Sequence, residues 1–333
     1  MTLSFFGVEA WQEEPLRAAF PETTLRFFAE DFSAQFLDVV HDAEILSGTI
    51  YSAVTREFID RLPKLRCITT RSTGYDHIDF VAAKEKGIIV CNVPTYGEHT
   101  VAEHTFALIL ALSRRIPESV ERTKKGDFSL VGLRGVDLVG KTLGVIGIGH
   151  IGQHVIRMAR GFGMKVLGFS RNQDEKLASS LGFTFVDFPT VLRESDILTL
   201  HIPGGKETHH MMDANAFSRM KKGAILINTA RGEVVDTEAL VRALESSQLA
   251  GAGLDVLEEE CYIKEEAQLL SPQFPKECDL KTILHNHMLV RRPNVIITPH
   301  NAFNSEEAVR RILQTTIENI QAFIAGHPQN VVQ

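Results

Sequence analysis

Cysteine is scarce in this chain of 333 residues, and the four present, Cys67, Cys91, Cys261 and Cys278, are widely separated with no CxxC spacing. That excludes a disulfide framework and fits the reduced thiols of a cytoplasmic protein. No stretch approaches the roughly 18 consecutive apolar residues of a membrane-spanning helix. The start, MTLSFFGVEA, has no basic region leading into a long apolar run, so a cytoplasmic location is expected. Lys and Arg never form a long run, and the formal net charge is −7. Nucleic acid is therefore excluded as the main partner, because neutralising phosphates takes a concentrated basic face. Repeats and low-complexity tracts are also missing.

The remainder is average globular sequence, 44% apolar and 23% charged, at a length that suits two domains. Short β-like runs (Leu3 to Val8, Leu25 to Phe28, Cys67 to Thr70, Ile88 to Val93) alternate with helical patterns (Glu14 to Phe20, His77 to Lys86). That alternation predicts a parallel α/β domain. A single long helix is expected from about Val101 to Lys124, with Phe106, Leu108, Leu110 and Leu112 too dense for one buried stripe. A second series predicts strands from Leu143, at Val166 to Phe169, Ile197 to His201, Ala224 to Asn228, Ala252 to Val256 and Val295 to Ile297. Helices are expected at Ile151 to Gly161, Ala214 to Lys221 and Thr237 to Ser246. The fold class is thus α/β, with two doubly wound, mostly parallel sheets. Ser305, with Glu306 and Glu307 behind it, opens a last helix that runs to Ala325. Cys261 to Arg292 is the least regular stretch, long for a plain loop and expected to hold short helices or cover a functional edge.

The most informative stretch is TLGVIGIGHIG, Thr142 to Gly152. A buried strand runs straight into a three-glycine turn and a helix start. Gly147 would make the tight turn, Gly149 would admit a pyrophosphate to the backbone, and Gly152 would let the helix pack on its strand. Unpaired N–H groups of His150, Ile151 and Gly152 at the helix N-terminus would face the anion.

Four further blocks follow in order: TRSTGYDHID from Thr70, NVPTYGEHTVAEHTFALIL from Asn92, INTARG from Ile227 and ITPHNAF from Ile297. GLDVLEEE, Gly253 to Glu260, lies among them. With the glycine turn, these blocks resemble the D-isomer-specific 2-hydroxyacid dehydrogenases, closest to the D-lactate dehydrogenase-like branch, over nearly the whole chain. The resemblance implies a Rossmann NAD(P)-binding domain, 100–300, inserted into a flavodoxin-like substrate domain, 1–99 plus 301–333. It places hinge crossings near Glu98 to Val101 and near His300, an active site in the cleft between the domains, and a homodimer formed through the long helix after Val101.

The residue roles implied by the resemblance suit the chemistry. Oxidising a 2-hydroxy acid removes a hydroxyl proton as a hydride leaves the same carbon, which calls for a base near neutral pKa. His300 matches the family's catalytic histidine and Glu260 its acidic partner. Arg231 matches the arginine whose fork holds the substrate carboxylate and polarises the carbonyl. Thr73 and Gly74 match the turn whose N–H groups meet that carboxylate. Tyr51, Tyr96 and Phe303 match positions around the substrate side chain and are equally readable as core aromatics. Asp255 matches the residue holding the nicotinamide carboxamide, with a capping acid as the alternative. Thr229 and Ala230 line the strand end beside it, and His201 and Pro203 match the segment flanking adenine.

One departure bears on cofactor choice. Members that prefer NAD end the strand after the glycine helix in an acid, whereas here Ser170 stands 23 residues past Gly147, followed by Arg171. Loss of the acid removes repulsion toward a 2′-phosphate, and Arg171 could pair with it. NADP or NAD is expected, with a lean to NADP. His285-Asn286-His287 spells a nuclease signature without its ββα metal context, and Ser72 and Ser305 lie in no GxSxG elbow. The pairs His209-His210 and His99 with His104 lack evident carboxylate or cysteine partners, so no metal is expected. The leading expectation is a reversible dehydrogenase for a small 2-keto acid such as pyruvate. The alternatives are a glyoxylate or hydroxypyruvate reductase and, in another class, a silent nucleotide-sensing corepressor-like protein.

Overall fold

Aliphatic and β-branched runs bounded by turn residues become parallel strands in both halves of the chain. The structure is a computed structural model that describes residues 1–259 and 279–332. It divides into two units, Met1–Gly97 with Asn304–Gln333, and Glu98–Phe303. Among the described residues, no helix is long and apolar enough to cross a membrane.

The first unit holds β1 (Thr2–Phe5), β2 (Thr24–Phe27), β3 (Ile45–Gly48), β4 (Cys67–Thr70) and β5 (Ile89–Cys91) in the order β2-β1-β3-β4-β5, all parallel. This is the flavodoxin-like order. Helices α1 (Ala10–Ala19), α2 (Arg56–Asp60) and α3 (Phe80–Glu85) accompany it. Successive residues of a strand face opposite sides, so Leu46, Ile68 and Val90 feed one apolar cluster. Their neighbours Ile45, Cys67 and Cys91 feed another, together with Leu16 of α1 and Leu313, Ile317 and Ile320 from the last helix.

The second unit opens with α4 (Glu98–Ser113) and α5 (Ile116–Lys124). Its sheet contains β6 (Thr142–Ile146), β7 (Lys165–Phe169), β8 (Thr184–Phe185), β9 (Ile197–Leu200), β10 (Ala224–Asn228), β11 (Leu249–Leu254) and β12 (Val295–Ile297). The order is β12-β11-β10-β9-β6-β7-β8, again all parallel. The direction of winding reverses between β6 and β9, the switch point where doubly wound sheets bind ligands at the carboxyl ends of the strands. Its remaining helices are α6 (His150–Gly161), α7 (Glu175–Leu181), α8 (Phe188–Glu194), α9 (Ala214–Arg219), α10 (Thr237–Glu245) and α11 (Leu280–Val290), while the last helix, α12 (Glu306–Ile324), belongs to the first unit.

Where the sequence predicts one helix over Val101 to Lys124, two form. Pro117 lies in the first turn of α5 and cannot donate to the carbonyl of Ser113. That carbonyl instead accepts from the N–H of Val136 at 2.8 Å, and Arg115 turns the chain at φ 49°. The elements β3, β8, α2, α7 and α8 lie outside the predicted runs. The irregular stretch Cys261 to Arg292 includes α11, and its residues 261–278 lie outside the described residues.

Candidate active site

The glycine turn joins β6 to α6, and two of its glycines are required sterically. Gly147 has φ 95°, and a Cβ there would meet the carbonyl oxygen of His201 at 2.3 Å. At Gly152 a Cβ would meet the carbonyl oxygen of Gly147 at 2.1 Å, so the first turn of α6 closes directly on the loop. Gly149 differs: nothing lies within 4 Å of its Cβ direction, leaving open space over the backbone. It is also the N-cap of α6, with no side-chain cap and no acidic residue in the first turn. In contrast, Asp187, Asp213 and Asp236 each cap their helices by accepting a backbone N–H. The N–H groups at the start of α6 are thus left for an outside anion, as a dinucleotide's pyrophosphate would require. His150 is exposed, with Nδ1 3.7 Å from the Glu98 carboxylate. Ile151 is half-buried and packs on the core beneath.

At the end of β7, Ser170 is half-buried and Arg171 exposed. Arg171 Nη1 donates to Glu207 at 2.6 Å, with both side chains about four-fifths exposed. A pair this wet contributes ~0–1 kcal/mol, so Arg171 is only loosely held. His201, just beyond β9, bonds Thr199 Oγ1 through Nε2 at 2.9 Å, and its buried Nδ1 has no partner. Burial pushes its pKa down to about 3, so the ring is neutral at physiological pH. Pro203 is exposed on the same segment, and its carbonyl accepts from Thr208 Oγ1 at 2.8 Å.

The INTARG turn after β10 is built around Asn228, whose Oδ1 accepts from the N–H of Ala230 at 3.0 Å while its Nδ2 donates to the carbonyl of Arg231 at 2.9 Å. One buried amide therefore sets the backbone under Arg231. The Arg231 guanidinium folds back onto the carbonyl of Ala230 at 2.8 Å. Thr229 shares a 3.0 Å bond with Thr105 of α4. Gly232 lets the chain pass the end of β11, where a Cβ would meet the carbonyl oxygen of Leu257 at 2.1 Å.

Asp255 follows β11 and is 1% exposed. Its Oδ1 accepts from Thr298 Oγ1 and from the N–H of Asn301 at 3.0 Å, and its Oδ2 accepts from the N–H of Ala302 at 2.8 Å. His104 of α4 joins through Nε2, 3.0 Å from Thr298 Oγ1. Since the Thr298 hydroxyl donates to the carboxylate, His104 Nε2 is the donor in this chain of bonds. The network ties down the loop on both sides of His300, which sits in the left-handed region at φ 51°. A non-glycine residue held in that region costs ~1–2 kcal/mol, and such outliers concentrate at functional sites. Phe303, the last residue of this unit, is half-buried. Glu260 lies outside the described residues.

In the first unit, Thr73 Oγ1 donates to the carbonyl of Val93 at 2.9 Å, and the Thr73 carbonyl accepts from Asn92 Nδ2 at 2.7 Å. The carbonyl of Gly74 accepts from Ser72 Oγ at 2.6 Å, and Ser72 links through Thr70 to His77. Tyr96 presents its carbonyl to Arg311 Nε at 2.7 Å, and Tyr51 is 45% exposed.

A family model described as "D-isomer specific 2-hydroxyacid dehydrogenase, NAD binding domain" matches residues 106–302, more than half the chain. The chain belongs to the D-isomer specific 2-hydroxyacid dehydrogenase family. As a member it is an oxidoreductase that acts on CH–OH groups with a nicotinamide dinucleotide. It is 38% identical to a glyoxylate reductase of Thermococcus litoralis, covering 100% of this chain and 92% of that protein. To a D-specific alpha-keto acid dehydrogenase of Enterococcus faecium it is 43% identical, over 87% of this chain and 83% of that one. A solved D-lactate dehydrogenase from Aquifex aeolicus, complexed with NAD and lactic acid, superposes with TM-score 0.85 at 37% identity, covering 98% of this chain and 96% of that chain.

For this 2-hydroxyacid dehydrogenase, the glycine turn fits the dinucleotide that the family uses: an uncapped helix start, an open backbone at Gly149 and a neutral His201 beside it. Asn228 and His104 are positioning residues that sequence reasoning missed. Asn228 was legible within INTARG, whereas nothing local marks a helical histidine as the partner of a threonine almost 200 residues away. Arg71 was missed as well. It is 8% exposed, donates to the carbonyls of Phe6 and Gly7 and to Gln12 Oε1, and burial pushes its pKa down to about 10. A charged residue directly after the buried strand β4 was its signal.

Proposed function

We propose that this enzyme interconverts a small 2-keto acid and its D-2-hydroxy acid, pyruvate and D-lactate being the first pair, with Arg231, Glu260 and His300 as the catalytic set. One observation carries the reading. Three adjacent parallel strands, β10, β11 and β12, deliver Arg231, Asp255 and His300 to the same sheet edge. When bound along the glycine turn, the nicotinamide cofactor supplies or accepts the hydride.

The residues then divide the remaining work. In the reducing direction, protonated His300 gives its proton to the carbonyl oxygen as that oxygen gains charge, and in the oxidising direction neutral His300 takes it back. Glu260 is assigned as the acidic partner of His300 on the family motif alone. Arg231 polarises the same oxygen and holds the carboxylate, a two-point grip that its planar fork allows and a lysine does not. Asp255, through Thr298, Asn301 and Ala302, keeps the His300 loop in place. Thr73 and Gly74 contribute backbone N–H groups to the carboxylate, and Tyr51, Tyr96 and Phe303 surround the side chain. Ser170 and Arg171 leave NADP usable beside NAD, with Glu207 opposing the 2′-phosphate.

A second substrate reading is glyoxylate, supported by the full-length likeness to the Thermococcus litoralis glyoxylate reductase. Initial rates with pyruvate, hydroxypyruvate and glyoxylate, each with NADH and NADPH, separate the two. Highest kcat/KM on pyruvate supports the first reading, highest on glyoxylate the second, and no turnover on any of them contradicts both. The protein acts in the cytoplasm as a homodimer. The resemblance assigns that contact to the helical segment after Val101, and Phe128, Leu130, Val131 and Val139, which follow it in the chain, are each more than three-quarters exposed. Light scattering giving a monomer mass would contradict that assembly.

A further inference from the structure

His209 and His210 lie between β9 and α9, and Glu258 follows β11. Among the described residues, these three form the one group whose ligating atoms all fall within 4.8 Å of each other. His210 Nε2 is 2.6 Å from Glu258 Oε1. The other carboxylate oxygen of Glu258 accepts from the Oγ1 of Thr237 at 2.8 Å and from its N–H at 3.3 Å. Glu258 is thus aimed by the start of α10, with its side chain only 16% exposed.

The backbone also gathers the two rings. In an extended chain neighbouring side chains point to opposite sides, but His210 is left-handed at φ 50°. Its N–H is fixed to the carbonyl of Glu233 at 2.8 Å. Both imidazoles therefore stand together, stacked with centroids 3.9 Å apart. A ring nitrogen of each histidine and a Glu258 oxygen lie within 4.8 Å of one another, so side-chain rotation brings all three onto one ion.

We propose that His209, His210 and Glu258 form a binding site for a divalent transition-metal cation, Zn²⁺ foremost. Two imidazole nitrogens and one carboxylate oxygen match zinc's ligand preferences, with water completing a tetrahedron. Mg²⁺ and Ca²⁺ prefer all-oxygen shells. Thr237 plays the part of the hydrogen-bonded partner that orients a ligating carboxylate. Binding displaces the 2.6 Å contact between His210 Nε2 and Glu258 Oε1, turning both atoms onto the metal. The ion clips two segments, the one after β9 and the one after β11, and the start of α10 is tied in through the Thr237–Glu258 hydrogen bonds. It lies outside the catalytic set and is a structural device, independent of the substrate reading above.

The test uses the full chain stripped with EDTA and dialysed. Calorimetric titration with Zn²⁺ is expected to show one site, and Mg²⁺ at the same concentrations none. Free Zn²⁺ at 100 times its Kd should raise the folded-to-unfolded ratio about 100-fold, read as a higher Tm. Co²⁺ should give tetrahedral d–d absorption without a thiolate charge-transfer band, which separates this site from the cysteines. His209→Ala, at an exposed side chain that leaves the fold intact, and Glu258→Gln should each weaken Zn²⁺ at least about tenfold. Absence of Zn²⁺ binding, equal affinity in His209→Ala, a thiolate band, or Mg²⁺ binding as tightly as Zn²⁺ overturns the proposal.

Discussion

The Asp255 carboxylate accepts the backbone N–H of Ala302 at 2.8 Å, so a buried acid at the end of β11 fixes the chain two residues past His300. The same carboxylate holds Asn301 and Thr298, and both of its oxygens are engaged by the loop it supports. Its part in positioning the histidine is thus as direct as any part it plays toward a cofactor.

Asp255→Asn keeps the size of the side chain but turns one acceptor into a donor facing a backbone N–H. A destabilisation of about 1–3 kcal/mol is expected from that unpaired contact, together with a fall in kcat as the His300 loop loosens. Urea unfolding and steady-state rates check both. Full kcat at reduced stability would show that the loop does not depend on this bond.

The glycines separate fold from cofactor binding. Gly152→Ala forces a methyl to within 2.1 Å of the Gly147 carbonyl oxygen. Overpacking of this kind costs about 1–3 kcal/mol, so both Tm and dinucleotide affinity should fall. Gly149→Ala places its methyl in open space, so Tm should hold while the dinucleotide Kd, measured by fluorescence quenching, rises. Unchanged affinity in Gly149→Ala would remove the pyrophosphate from this turn.

Cofactor preference should respond to Ser170 and Arg171 at the end of β7 and to Glu207 on the segment after β9. Ser170→Asp introduces a carboxylate that suits ribose hydroxyls and repels a 2′-phosphate, shifting the ratio of kcat/KM toward NADH. Arg171→Ala should weaken NADPH more than NADH. Glu207→Gln removes the acid now 2.6 Å from Arg171 and should favour NADPH several-fold. A ratio indifferent to all three would make this rim a tolerant surface for adenosine.

Acid stability should carry the signature of His201. Its pKa falls from 6.5 to about 3 on burial, so below pH 6.5 the unfolded chain takes up a proton that the folded chain refuses. The favourable state is the neutral one, and its contribution is intact above pH 6.5. It is lost at up to about 1.4 kcal/mol per pH unit as pH falls toward 3. His201→Gln, which does not titrate, should flatten this limb in a plot of unfolding free energy against pH. An identical limb in wild type and variant would mean that the ring protonates freely in the folded state.

Much of the fold was legible because local pattern and tertiary role agree. Strands β4, β10 and β12 keep their predicted bounds, and Ser305 caps α12 by accepting from the N–H of Ala308 at 3.1 Å. Elements were lost where the local signal is faint. In β3 the buried run Ile45–Gly48 contains a serine and a glycine, and β8 has only two residues. Arg115 and Pro117 break a helix whose apolar pattern continues past them. At the site, sequence motifs marked which residues to look for, and strand order brings Arg231, Asp255 and His300 to one edge. The bonds from Asp255 to Ala302, from His104 to Thr298 and from His210 to Glu258 join distant segments, and no local pattern encodes them.

The most direct measurement is the rate of pyruvate reduction by His300→Ala, taken together with its dinucleotide Kd. Loss of a positioned proton donor should lower kcat by about 10²–10⁴-fold while cofactor affinity stays near that of wild type. Arg231→Lys, assayed in parallel, should lose both keto-acid affinity and turnover. A near-wild-type rate in His300→Ala, or a loss explained wholly by failure to bind the dinucleotide, would contradict the assignment of proton transfer to this histidine.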